Sequence, residues 1–212
     1  MPRPSIARSS VVGGFGRQLG GRTRGYTLLE LVFASALMAT LSGIAVPQVM
    51  ASLDDLRATG AARYVAAKIQ QTRSEAVSRS ADVALQFVIG VDGVRFRMYV
   101  DANHNGVRTR DIQLGLDVPI GPVERLPDQF SGVEFGVRPN LPGVDSGPPP
   151  GTDPIHLGSS NLLSFSPDGT SSTGSLYIKG RRDSQYVIRV FGETGKARTL
   201  RFVAASNSWQ PL

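Results

Sequence analysis

Between Tyr26 and Met50 the chain offers 25 consecutive positions with one charge, Glu30. At about 1.5 Å per residue a helix of that length spans a hydrocarbon core of roughly 30 Å. From 51 to 80 the apolar positions thin to Leu53, Leu56, Val65, Ile69 and Val77, set among Ala, Arg, Lys, Gln and Glu at rough three- and four-residue spacing. That spacing predicts an amphipathic continuation of the helix. Pro47 removes one backbone hydrogen bond within it, and Gly43 and Gly60 add local freedom. After Ser80 the period drops to two. Val83, Leu85, Phe87 and Ile89 alternate with other residues, and Val94, Phe96, Met98 and Val100 do so again beyond the turn signal Val91-Asp92-Gly93. This is the pattern of a β-hairpin with one buried face. Further strands are expected at 111–118, 132–138, 161–166, 174–179, 185–192 and 196–203. Six prolines between 139 and 156 predict an exposed loop. The expected fold class is α+β: a long N-terminal helix packed on a β-rich head.

Charge changes the picture at the N-terminus. Residues 1–25 hold Arg3, Arg8, Arg17, Arg22 and Arg24 and no acid. Taking those five from 23 Lys and Arg leaves 18 bases against 17 acids, so the formal +6 belongs largely to this segment. Positive charge before an apolar run keeps that side in the cytoplasm. An ordinary secretory signal fits poorly, because its apolar core is about 7–15 residues and ends at a small-x-small cleavage site. A plain membrane anchor leaves Glu30 unexplained, since a carboxylate in an apolar span is costly and normally has a partner.

The residues Arg24, Gly25, Tyr26, Thr27, Leu28, Leu29, Glu30 and Leu31 resemble the leader junction of type IV pilins. The resemblance implies cleavage after Gly25 by a prepilin peptidase/N-methyltransferase, methylation of Tyr26, and an assembly role for Glu30, the fifth mature residue. Pro47 falls where pilins carry a helix-loosening proline. Tyr26 replaces the usual Phe and keeps the aromatic ring. The implied organisation is a cleaved basic leader at 1–25, a transmembrane and filament-core helix at 26–50, its amphipathic continuation at 51–80, and a periplasmic head at 81–212. The head is similar to the GspH/FimT family of minor pseudopilins, through Tyr99–Gly106, Phe165–Gly169, Val187–Arg189 and Gly195–Arg198. The implied function is that of a structural minor pilin or pseudopilin in a type II secretion pseudopilus or a type IV pilus. Its implied partners are other pilins, the peptidase and the inner membrane.

Candidate chemistry is sparse. No nucleophile elbow, Walker loop or zinc-protease motif occurs, and there is no Cys. Gly14-Phe15-Gly16 imitates a nucleotide loop with the wrong spacing, and His104 and His156 stand apart in loops. No catalytic residue and no organic cofactor are expected. Asp101-Ala102-Asn103-His104-Asn105-Gly106 matches the first half of a calcium loop, with oxygen ligands at alternate positions before a turn-making Gly. Ile112 stands where the closing Glu belongs, and Asp111 is one position short. The same residues also suit a connection in which Asp and Asn cap their own backbone. Finally, Lys179, Arg181, Arg182, Arg189, Lys196, Arg198 and Arg201 face only Asp183 and Glu193 over 179–201. On adjacent strands they would make a phosphate-binding stripe. FimT-type pilins carry a Gly-Arg-x-Arg motif associated with DNA capture; Gly195-Lys196-Ala197-Arg198 is similar, with Lys for the first Arg. The alternative function is therefore a DNA-binding minor pilin of a competence pilus, through Arg181, Arg182, Lys196, Arg198 and Arg201.

Overall fold

The structure, a computed structural model, describes residues 25–212. All of the expected leader except Gly25 lies outside the described residues. The chain divides into two compact units, the first ending at Ile44 and the second running Ala45–Leu212. Helix α1, Leu28–Arg79, is 52 residues long and carries Pro47 inside it.

In the first unit every described residue is exposed, among them Tyr26, Leu28, Leu29, Leu31, Phe33, Leu37 and Leu41. By length and composition α1 is able to cross a membrane.

The second unit is a helix on two antiparallel sheets. The first sheet has the order β3-β2-β1-β6, with β1 Val83–Gly90, β2 Gly93–Val100, β3 Val118–Arg125 and β6 Leu162–Phe165. The second has the order β10-β9-β8-β7-β4, with β4 Glu134–Phe135, β7 Gly174–Lys179, β8 Gln185–Phe191, β9 Lys196–Val203 and β10 Ser208–Pro211; β5, Ile155–His156, also pairs with β7. The β1–β2 hairpin forms in the expected register, from Val83 opposite Val100 to Gly90 opposite Gly93. Gly93 sits at φ 105°, a conformation that suits Gly at this tight turn.

The helix face that enters the core differs from the expected one. Leu56 and Val77 are exposed, while Ala58, Ala61, Ala62, Val65, Ile69, Thr72 and Ala76 are buried. These positions recur every three or four residues, one stripe of the helix. Alanines lack the bulk that marks an apolar stripe by eye, and the bulk of this core comes from the large side chains opposite. Against them pack Leu85, Phe87, Phe96, Phe135, Leu163, Phe165, Ile178, Tyr186 and Ile188.

Polar contacts fix the helix at three levels. Near the start of the face, Thr59 Oγ1 lies 2.8 Å from the Tyr186 hydroxyl, which also donates to Asp55 at 3.3 Å. In the middle, Lys68 Nζ pairs with Glu124 at 2.7 Å, and the Tyr64 hydroxyl donates to the same carboxylate. Towards the end, Arg73 Nε donates to the Gly169 carbonyl at 3.2 Å.

Two strand expectations and one loop expectation are corrected. Residues 111–118 are not a strand: Thr109–Leu114 form helix α2, ended by Gly115 at φ 72°, and β3 begins at Val118. The apolar alternation there also fits one short helical turn. Of 132–138 only Glu134 and Phe135 join a ladder, against β7. The loop 139–156 is tied down rather than free. Leu141 and Val144 are buried, Trp209 Nε1 donates to the Pro142 carbonyl at 3.0 Å, and its last two residues form β5. Strand β10 lies outside the expected set; it is a four-residue edge with a terminal proline, and edges tolerate proline.

Three groups of this unit that titrate in the alkaline range share one direction. Burial pushes the Tyr177 and Tyr186 phenols above their ordinary range, and the hydrogen bond from Lys68 to Glu124 raises the ammonium. Each holds its proton more tightly folded than unfolded. Their stabilisation is therefore complete below the ordinary values and is lost as pH climbs through the raised ones. The urea midpoint of the detergent-solubilised chain is expected to fall between about pH 9.5 and 11. Tyr186→Phe should flatten that decline, and a wild-type midpoint constant across the range would refute the coupling.

Candidate functional site

The start of α1 is built by its own side chains. The Thr27 hydroxyl accepts from the Glu30 backbone N–H at 3.2 Å, and the Glu30 carboxylate accepts from the Thr27 backbone N–H at 3.5 Å. This is a capping box, in which a Thr and a Glu three residues on satisfy two orphan donors reciprocally. A carboxylate in the first turn also faces the positive end of the helix dipole. Gly25 and Tyr26 lie immediately before it and are exposed. The residues expected at a processing junction thus surround one helix N-terminus, with the acid drawn back to within one residue of Tyr26. The signal for this cap is local, Thr-x-x-Glu before an apolar run. Pro47 lies inside α1 and exposed.

The Asp101 loop is a second feature. Asp101 accepts from the Asn103 N–H at 3.0 Å and from the Gly106 N–H at 2.7 Å. Asn103 Oδ1 accepts from the Asn105 N–H at 3.2 Å, and Asn105 Nδ2 donates to Asp111 at 3.1 Å. Among the described residues no three His, Asp or Glu side chains come together as a metal-holding group. The loop's oxygens are instead a mixture of carboxylate and amide. His104 lies in this loop at φ 59°, while the His156 ring meets the Tyr177 ring edge-on with centroids 5.2 Å apart.

The basic positions of 179–201 are distributed over β7, β8, β9 and the β7–β8 turn, and acids from elsewhere meet most of them. Arg182 pairs with Asp54 at 3.6 Å, Arg201 with Asp55 at 3.1 Å, and Arg198 and Arg189 with Asp145 at 2.7 and 3.2 Å. Lys179 pairs with Glu134 at 3.0 Å. Asp54, Asp55, Glu134 and Asp145 are remote in sequence, so the local charge count could not include them. Each pair reduces the charge left to attract phosphate. Arg181 and Lys196 take part in none of these pairs. Arg181 lines a cleft of about 520 Å³ with Arg138, Lys179 and Glu134, whose charges are mixed.

Pilin-like protein PilA1 of Thermus thermophilus is 39% identical over 83 residues, 39% of this chain and 51% of that protein. The chain thus spans about half the length of this curated relative. Among solved structures, the minor pseudopilin EPSH from the type II secretion system of Vibrio cholerae aligns with a TM-score of 0.40 at 15% identity, over 68% of this chain and 94% of that one. The family model described as type II transport protein GspH matches residues 61–195, from the buried alanines of α1 through β8 to the turn before β9, and the chain belongs to that family.

Proposed function

We propose that this chain is a structural minor pseudopilin, a non-catalytic subunit that enters a pilus-like filament through the first half of α1. The observation that carries the reading is the start of that helix. An exposed apolar run follows directly on Gly25 and Tyr26, and its one acid is folded back onto the helix N-terminus. Such a segment is unsuited to water and suited to a bilayer or to the packed core of a filament. The pseudopilus of type II secretion is favoured over a type IV pilus because the family's description refers to type II transport. In this reading the head is the periplasmic part, and the helix is held in the inner membrane until assembly.

Processing gives the test. The peptidase needs a small residue before the cut, and the basic leader holds the junction at the cytoplasmic face. In cells containing a prepilin peptidase, mass spectrometry of the membrane-extracted protein should find Tyr26 as the N-terminus, carrying one methyl group. Gly25→Leu should leave the chain at full length. A wild-type chain that retains its leader beside an active peptidase would overturn the proposal.

A further inference from the structure

We infer that residues 101–117 form a binding site for one calcium-class dication. Three carboxylates are buried here: Asp101 at 4% exposure, Asp111 at 8% and Asp117 at 1%. Among the described residues no ion pair within 4.0 Å reaches any of them. Buried charges in proteins are paired or coordinate metals, because the desolvation cost is otherwise uncompensated. Arg108 and Arg110 are close in sequence, yet both are exposed and form none of these pairs.

The hydrogen bonds join the segment into one constellation. Asp101, Asn103, Asn105 and Asp111 are linked in series, with Gly106 at φ 83° turning the chain between them. Asp117 is joined to the constellation by two hydrogen bonds to the main chain. One of its oxygens accepts from the Arg108 N–H at 3.0 Å, and its own N–H donates to the Asp111 carbonyl at 3.3 Å. Its other oxygen is buried and has no hydrogen-bond partner, and the same is true of the Thr109 hydroxyl. An orphan carboxylate oxygen in the interior is the costliest kind of unsatisfied acceptor. Both unpartnered oxygens belong to the 107–117 stretch that would carry a cation and its water.

The ligand set is oxygen only, which selects a hard cation. Carboxylate oxygens of Asp101 and Asp111, amide oxygens of Asn103 and Asn105, and the main-chain carbonyl of Val107 would contact it. The Asn105 amide, which now directs its nitrogen at Asp111, presents its oxygen after half a turn of the side chain. Asp117 and Thr109 would accept from and donate to a cation-bound water, so the three acids need not share one shell. Calcium accepts such mixed, irregular shells, whereas magnesium demands a near-ideal octahedron. With two direct carboxylates and no bidentate closing Glu, the expected dissociation constant is on the order of 10⁻⁴ M, the range of extracellular modules.

The test uses the full chain in detergent, stripped with chelator and titrated with calcium chloride or magnesium chloride by calorimetry and thermal unfolding. Calcium should bind at one ion per chain and raise Tm, and magnesium should bind at least tenfold more weakly. Asp101→Asn should abolish the binding. Asp117→Asn should weaken it about tenfold, as loss of an outer-shell partner does, with little change of Tm in chelator. No heat and no rise in Tm for the wild type at about 10 mM calcium, beyond the weakest range of such sites, would overturn the inference. So would equal binding of magnesium, or undiminished binding by Asp101→Asn. If that variant fails to fold, the wild-type comparison of calcium, magnesium and chelator decides alone.

Discussion

Glu30→Ala is expected to leave membrane insertion and leader removal intact and to abolish incorporation into a filament. The substitution makes the apolar run more apolar, so insertion does not suffer. A carboxylate within a membrane span costs about 2.5–3.5 kcal/mol at the helix centre, less near an end, and implies a cationic partner. The proposed processing at Gly25 would create one, the amine of Tyr26. The capping box holds the carboxylate one residue from that position. In the membrane the same acid is able to reach the amine of its own chain or of an adjoining subunit. That attraction would set the axial register of packed helices. Glu30→Gln separates the roles. A Gln at this position still completes a capping box, but it carries no charge. If charge is the determinant, both variants fail to cross-link to partner subunits in membrane fractions while the wild type succeeds. Normal incorporation of the Ala variant would remove the acid from the assembly mechanism. Rescue by Gln would reduce it to a helix cap.

Gln185→Leu is expected to cost about 2–4 kcal/mol of stability, the sum of two or three orphaned buried groups at about 1–3 kcal/mol each, partly relieved by relaxation. Gln185 is fully buried in β8. Its amide nitrogen donates to the carbonyls of Gly136, Ile178 and Tyr186 at 3.1, 3.1 and 3.2 Å, and its amide oxygen accepts from the Arg138 N–H at 3.1 Å. One side chain thus ties residues 136–138 to β7 and β8 just beyond β4, which is only two residues long. Leucine matches the volume approximately and satisfies none of these groups. The urea midpoint should fall with little change in its slope. A loss below about 0.5 kcal/mol, the range of ordinary surface substitutions, would mean that water replaces the amide there.

How much of this was legible depended on whether the signal was local. The apolar run from Tyr26, the Thr-x-x-Glu cap and the β1–β2 hairpin each lie within a few adjacent residues, where periodicity and turn chemistry act. Residues 111–118 failed because a six-residue helix and a half-buried strand place apolar groups alike; Gly115, a helix stop, was the deciding residue. The alanine face of α1 was missed because small residues signal close approach only once the opposing sheets are known. The basic positions show the limit of a local charge count. Asp54, Asp55 and Asp145, which neutralise Arg182, Arg201, Arg198 and Arg189, are brought beside them by tertiary folding alone. Gln185 carried no local signal, because its partners at 136–138 lie almost fifty residues upstream.

The three tiers of polar contact along α1 have a mechanical consequence. From Asp55 to Arg73 they are spaced over about 27 Å of helix axis at the standard rise. Between them the alanine face is buried in the core. Tension applied along the axis loads Tyr186, Glu124 and Gly169 together, in shear, rather than one after another as in peeling. A subunit hauled by its helix would carry its head without the joint opening from one end.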